Sequence, residues 1–328
     1  QHTLQRGAGF HLAEPAWVQG MRFHAWSADS RRIFTIRNFG GQSTLWVVDV
    51  ENGQARQVDT GDYTYIKDLS VSPTGDVAFV ASAPGIADRV VRWDGRQMHI
   101  EARSTAEAVD SAYLANLRPI AWRAPDGMEV YGLYAPPSNP RFTSAGLPPA
   151  IVHFHGGPTS AAWVKFSAEA SYFTSRGYAW LEVNYRGSSG YGRTYRNALR
   201  QRWGEIDVED ALGAAQALAE QGLADPRRLV IRGGSAGGYT VLNVLARHPG
   251  VYKAGVNLYG VSNLFDLATD THKFEERYLD SMVGPLPEAS ARYHAWSPIY
   301  HVDGLSDPMA VFQGSVDKVV PPAQSEAI

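Results

Sequence analysis

Residues 228–250 constrain this chain more than any other segment. Arg228-Leu229-Val230-Ile231-Arg232 reads as a buried strand and Tyr239 to Arg247 as a helix closed by His248-Pro249-Gly250, with only Gly233-Gly234-Ser235-Ala236-Gly237-Gly238 between them. A reversal this abrupt needs neighbours without side-chain bulk, and the pattern G-x-S-x-G supplies them. It presents the serine in a strained conformation at the top of a sheet, with the positive end of a helix behind it. Ser235 is therefore the candidate nucleophile of an acyl transfer, and the backbone N–H of Ala236 a candidate oxyanion donor.

The surrounding pattern fits a sheet that can carry such a turn. Ile151-Val152-His153-Phe154, Ala179-Trp180-Leu181-Glu182-Val183, Leu229-Val230-Ile231 and Met309-Ala310-Val311-Phe312 are apolar runs suited to buried strands. Between them, residues 206–223 have helical spacing, with Asp207, Glu209 and Asp210 at the positive end and Asp225-Pro226 as the stop. Strands alternating with helices imply a mostly parallel, doubly wound sheet whose chemistry sits at the carboxyl ends of its strands.

Residues 1–112 follow a different grammar. Short alternating segments such as Arg32-Ile33-Phe34-Thr35-Ile36 and Leu45-Trp46-Val47-Val48-Asp49-Val50 are separated by Gly, Asn and Asp turns. Ser27 and Ser72, and likewise Asp49 and Asp94, stand 45 residues apart. A period of about 40–45 residues is that of a β-propeller blade; a small β-sandwich with accidental similarity is the plainer reading. With 328 residues, 44% of them hydrophobic, two domains are expected: about two blades over 1–112 and a hydrolase domain over 113–328.

Two further elements belong with Ser235. His153-Phe154-His155-Gly156-Gly157-Pro158 directly follows a strand, where the second oxyanion loop belongs, so Gly157, or else Gly156, is the candidate second donor. His155 reads as a residue that orients this loop. Asp317 follows the 309–312 strand by five residues and fits the acid of a serine–acid–histidine relay; an Asx-turn cap ahead of Pro321 and Pro322 is the alternative, and its place after the strand and in chain order favours the acid. Asp303 beside Gly304 and Asp307 beside Pro308 read as turn residues. His248, His272, His294 and His301 lie after the serine but all before Asp317, so none suits the base. His248 is expected to be partly charged at a helix's negative end.

Composition narrows the remaining classes. A net charge of -3, without a basic stripe, argues against nucleic acid. No apolar run approaches the roughly 20 residues of a membrane span. No HExxH, metal-spaced histidine pair or P-loop is present, so neither metal nor cofactor is expected. Zero cysteines fit a reducing compartment, making cytoplasm the default, although a sequence that opens at Gln1 leaves an earlier segment open.

Asn184-Tyr185-Arg186-Gly187-Ser188-Ser189-Gly190-Tyr191-Gly192, Trp203-Gly204, Asp207, Asp210 and residues 233–239 together resemble the prolyl oligopeptidase family (S9) over nearly the whole chain. His155-Gly156-Gly157-Pro158 and Thr271-His272-Lys273-Phe274-Glu275 are similar to its dipeptidyl aminopeptidase and acylaminoacyl peptidase branch, which includes puromycin-hydrolysing aminopeptidases. The resemblance implies an α/β-hydrolase fold preceded by part of a β-propeller, and a serine peptidase acting on short peptides or aminoacyl amides. It implies that Tyr239 and Val320 wall the pocket for the side chain preceding the scissile bond, where both also fit core packing. Glu275-Glu276-Arg277 has two readings, a substrate-amine anchor or a solvated helix face. The family's catalytic histidine lies beyond the acid, so the resemblance implies a fragment truncated at both ends, its base after Ile328, inactive as given. A carboxylesterase-like hydrolase, which has no need of blades, and a noncatalytic peptide-binding scaffold are the alternatives.

Overall fold

The computed structural model describes residues 9–14, 20–106, 108–270 and 276–328. Thr271-His272-Lys273-Phe274-Glu275, including the proposed amine anchor Glu275, lies outside them.

The β-rich part consists of two four-stranded antiparallel meanders. The first holds β1 (His24–Trp26), β2 (Arg32–Phe39), β3 (Gln42–Asp49) and β4 (Ala55–Gln57). The second holds β5 (Tyr65–Val71), β6 (Val77–Ala83), β7 (Ile86–Trp93) and β8 (Met98–Arg103). The repeated residues do the same work in both. Ser27 Oγ accepts from the Arg32 N–H at 2.9 Å in the β1–β2 turn, and Ser72 Oγ from the Asp76 N–H at 3.0 Å in the β5–β6 turn. Asp49 Oδ1 caps the turn after β3 through Glu51 and Asn52, and Asp94 Oδ1 the turn after β7 through Arg96 and Gln97. Phe34, Ile36 and Leu45 share one core with Ile66, Leu69 and Phe79, so each sheet covers a face of the other.

The remaining strands are β9 (Arg118–Arg123), β10 (Glu129–Ala135), β11 (Ala150–Phe154), β12 (Ala179–Asn184), β13 (Leu229–Gly234), β14 (Ala254–Leu258) and β15 (Met309–Phe312). They form one sheet in the order β15-β14-β13-β11-β12-β10-β9. β12, β11, β13, β14 and β15 run parallel, while β10 is antiparallel to both β9 and β12. The helices that matter for the site are α1 (Ala168–Thr174), α2 (Arg193–Asn197), α3 (Ile206–Glu220) and α4 (Ala236–Arg247). Alternate residues of β11 enter opposite cores: Val152 and Phe154 pack with α3 and α4, and Ile151 with Trp180 and α1. No helix among the described residues is long and apolar enough to cross a membrane.

Two differences from the sequence reading bear on the site. β13 continues through Gly234 and α4 begins at Ala236, so Ser235 alone makes the turn expected over 233–238. β14 was not expected, because Gly255 and Asn257 interrupt its apolar run. Gly255 is required there: a Cβ would come within 2.4 Å of Leu245 Cδ1 on α4.

Candidate active site

Ser235 has φ 54° and ψ −122°, a left-handed region that costs a non-glycine residue about 1–3 kcal/mol and persists only where the surroundings dictate it. The surroundings here are backbone. A Cβ on Gly233 would lie 2.4 Å from the Gly237 carbonyl, and one on Gly237 would lie 2.0 Å from Phe154 O, so strand, helix and β11 meet with no room for side chains. Ser235 N–H donates to Leu258 O of β14 at 3.0 Å, and α4 starts on the next residue. The half-buried hydroxyl makes no hydrogen bond among the described residues.

The loop after β11 closes over this turn. A Cβ on Gly156 would be 3.4 Å from Ser235 Cβ, so the 156–157 backbone lies against Ser235. His155 sets its orientation. Its ring stacks on Tyr185 at 4.5 Å, with Nδ1 2.8 Å from Gly156 O and Nε2 2.8 Å from Ser188 Oγ. A carbonyl only accepts, so Nδ1 carries the proton and Nε2 accepts from the Ser188 hydroxyl. Burial pushes the imidazole down to about 4, which keeps it neutral. Tyr185 Oη donates to His155 O and Pro158 O.

Beneath Tyr185, fully buried Arg186 donates to Asp210 from both its backbone N–H and its Nε, to Asp126 at 2.7 Å and to Glu209 at 2.8 Å. Asp207 and Glu209 stand in the first turn of α3, as expected from their position, while Asp210 lies just beyond it. Asp210 holds Arg186, and Asp207 accepts from Gly204 N–H and Thr240 Oγ1, tying α3 to α4.

Beside the β13–α4 turn opens a cavity of about 90 Å³ walled by Ser235, Ala236, Gly157, Pro158, Trp203, Tyr278, Leu279, Val319 and Val320. The structure thus brings Ser235, Ala236, Gly157 and Val320 together. Tyr239 is not on the wall. It is fully buried behind Trp203, 4.5 Å away ring to ring, and donates to Trp296 O at 2.8 Å. Trp203, Tyr278 and Leu279, which form much of the wall, carried no positional signal in the sequence beyond the Trp203-Gly204 pair.

Asp317 occupies the loop after β15, its Oδ1 accepting from Val319 N–H at 2.8 Å and Val320 N–H at 3.1 Å. That is an Asx-type turn, and it presses both valines to the cavity; Oδ2 has no hydrogen bond among the described residues. Asp307 instead accepts from Gly250 N–H. The described histidines are occupied elsewhere: His294 stacks on Tyr300 and His301 lies 2.8 Å from Ala295 O. Burial, and after it Arg247, lower the pKa of His248, which works against the partly charged imidazole expected at the end of α4.

Residues 164–328 match the prolyl oligopeptidase family. The acylamino-acid-releasing enzyme of Arabidopsis thaliana is 35% identical over 180 residues, 53% of this chain and 24% of its own length. Dipeptidyl peptidase family member 6 of Caenorhabditis elegans is 29% identical over 242 residues, 70% of this chain and 32% of its own. The solved structure of a Mycobacterium tuberculosis puromycin-hydrolyzing peptidase superposes with a TM-score of 0.92 at 39% identity, covering 98% of this chain and 49% of that one. The chain thus spans about half of that solved chain and a quarter to a third of the two curated relatives.

Proposed function

Because this chain belongs to the prolyl oligopeptidase family, we propose that it carries the nucleophile, oxyanion loop and acid of a serine peptidase that hydrolyses short peptides or aminoacyl amides. The observation that carries the reading is Ser235 at φ 54° on the β13–α4 turn, with Gly156 and Gly157 against it and an apolar cavity alongside. Ser235 Oγ attacks the scissile carbonyl as its proton passes to an imidazole. The N–H groups of Ala236 and Gly157 receive the developing oxyanion. The free Oδ2 of Asp317 orients the imidazolium, which then protonates the departing amine; water repeats the sequence on the acyl-enzyme. Chain order places that histidine after Asp317. The side chain preceding the cut bond enters the cavity against Val320 and Trp203, with Tyr239 as the backing that keeps Trp203 in place.

Residues 1–112 are proposed as blades covering the site and 113–328 as the hydrolase unit, in the cytoplasm, where a chain without cysteines loses nothing to reduction. The test is cleavage by the full-length protein, with Ser235→Ala as control, of matched peptides carrying free or acetylated amino ends, followed by mass spectrometry. Serine-dependent cleavage of the free-ended peptide alone makes it an aminopeptidase, and preference for the acetylated one an acylaminoacyl peptidase. No cleavage of either sinks the peptidase reading in favour of an esterase or a scaffold.

A further inference from the structure

A second cavity, of about 280 Å³, adjoins the first. Tyr278 lines both, and its hydroxyl bonds to Thr159, the residue following Pro158 of the oxyanion loop, at 2.6 Å from Oγ1 and 3.2 Å from N. The other side is closed by the 9–14 segment, which pairs with β2 through His11 and Asn38 and reaches the 188–190 loop through Glu14 and Ser189. The cavity therefore lies at the seam between the blades and the hydrolase sheet, one aromatic ring away from the nucleophile's pocket.

Its lining is rich in N–H donors, one of them buried. Gly190 N–H donates to His11 Nδ1 at 2.6 Å, so that nitrogen is the acceptor, the ring is neutral and the proton sits on Nε2. That Nε2–H is buried and has no partner among the described residues. A buried donor left this way is expected to meet a ligand or water. Arg196 and Arg200, exposed residues from α2 and the turn after it, line the mouth of the same space, and no ion pair is made by either among the described residues. Glu14 is the one acid among the described lining residues, and both of its oxygens are already used, by Asn38 Nδ2 at 2.7 Å and Ser189 Oγ at 2.8 Å. Burial pushes Glu14 up to about 7, which further limits how well it offsets the two guanidinium groups.

We infer that this cavity binds the C-terminal carboxylate of the peptide on the leaving-group side of the scissile bond, held by Arg196, Arg200 and His11 Nε2–H. The inference rests on the peptidase reading of Ser235, because it is a bound substrate that brings a carboxylate there. Among the groups of a short peptide the terminal carboxylate matches a lining of N–H donors, whereas a terminal ammonium would face two arginines. The site would make the protein a reader of short peptides with free carboxyl ends.

Calorimetric titration of the full-length Ser235→Ala protein reads the site without turnover, using one peptide as its free acid and as its amide. The expected Kd for the acid is lower by about tenfold or more, and Arg196→Gln with Arg200→Gln in that background brings the ratio toward one. Equal Kd values before the arginines are changed overturn the site. An amide ending in glutamate separates the two carboxylate sources: if it binds as tightly as the free acid, a side chain is being read and the C-terminal assignment falls. Cleavage by the unaltered protein is scored apart. Serine-dependent cleavage of acid and amide with equal kcat/KM removes the carboxylate site and leaves the peptidase, while no serine-dependent cleavage of either removes the peptidase.

Discussion

Replacing Ser188 with alanine tests whether the His155 network positions the Gly157 N–H proposed as an oxyanion donor. Ser188 is fully buried and its hydroxyl is the hydrogen-bond partner of His155 Nε2. Alanine leaves that nitrogen a buried acceptor without a partner, at a cost of about 1–3 kcal/mol. The ring then keeps one hydrogen bond, from Nδ1 to Gly156 O, and its stack on Tyr185. Gly156 O and the Gly157 N–H belong to the same planar peptide, so a carbonyl that drifts takes the N–H with it. Complete loss of an oxyanion donor costs about 2.7–4 kcal/mol. A loosened one should cost part of this, so kcat is expected to fall about 10- to 100-fold with KM nearly unchanged. Ser171→Ala is the comparison: its hydroxyl, on α1, accepts from Ala115 N–H and donates to Ser167 O, and it too is buried. Urea unfolding should show similar losses of stability for the two variants, with kcat reduced only in Ser188→Ala. Equal kcat in both would refute the positioning role and leave His155 a packing residue.

Three other substitutions probe the scaffold. Gly204→Ala puts a Cβ 2.2 Å from Tyr239 Oη at φ 100°, so it should destabilise by about 3 kcal/mol in urea unfolding and weaken binding of apolar side chains through Trp203. Arg186→Met leaves Asp210 and Glu209 without their cation and should lose about 3–5 kcal/mol, with the 184–192 loop open to protease. Glu14 has a folded pKa of about 7 against an unfolded value near 4.5, so the folded state holds its proton longer and its contribution to stability falls as pH rises from about 4.5 to about 7. Glu14→Gln should cancel a loss of about 3 kcal/mol across that window; matching pH–stability curves for the two proteins would contradict it.

The site was legible where chemistry imposes a rigid local pattern. The glycines around Ser235 and the sequence 155–158 announced themselves because a serine held at positive φ at a strand's end needs backbone contact on every side. The turn itself was misplaced for the same reason: Gly233, Gly234, Gly237 and Gly238 read as turn formers, whereas close approach demands them inside β13 and α4. Asp207 and Asp210 were legible only as charges suited to a helix start, because the sequence does not show that Thr240 and Arg186 lie across from them. Trp203, Tyr278 and Leu279 meet at the cavity from separate segments, and no local spacing encodes that meeting. The blade repeat was readable because Ser27 and Asp49 make turns whose hydrogen bonds are repeated at Ser72 and Asp94.

The most direct measurement is the site of covalent trapping. The full-length protein treated with a fluorophosphonate and digested for mass spectrometry should carry the phosphonyl group on Ser235, with labelling abolished in Ser235→Ala and slowed in Ser188→Ala. An adduct on another residue, or peptide cleavage that survives Ser235→Ala, would contradict the assignment of the β13–α4 turn as the catalytic elbow.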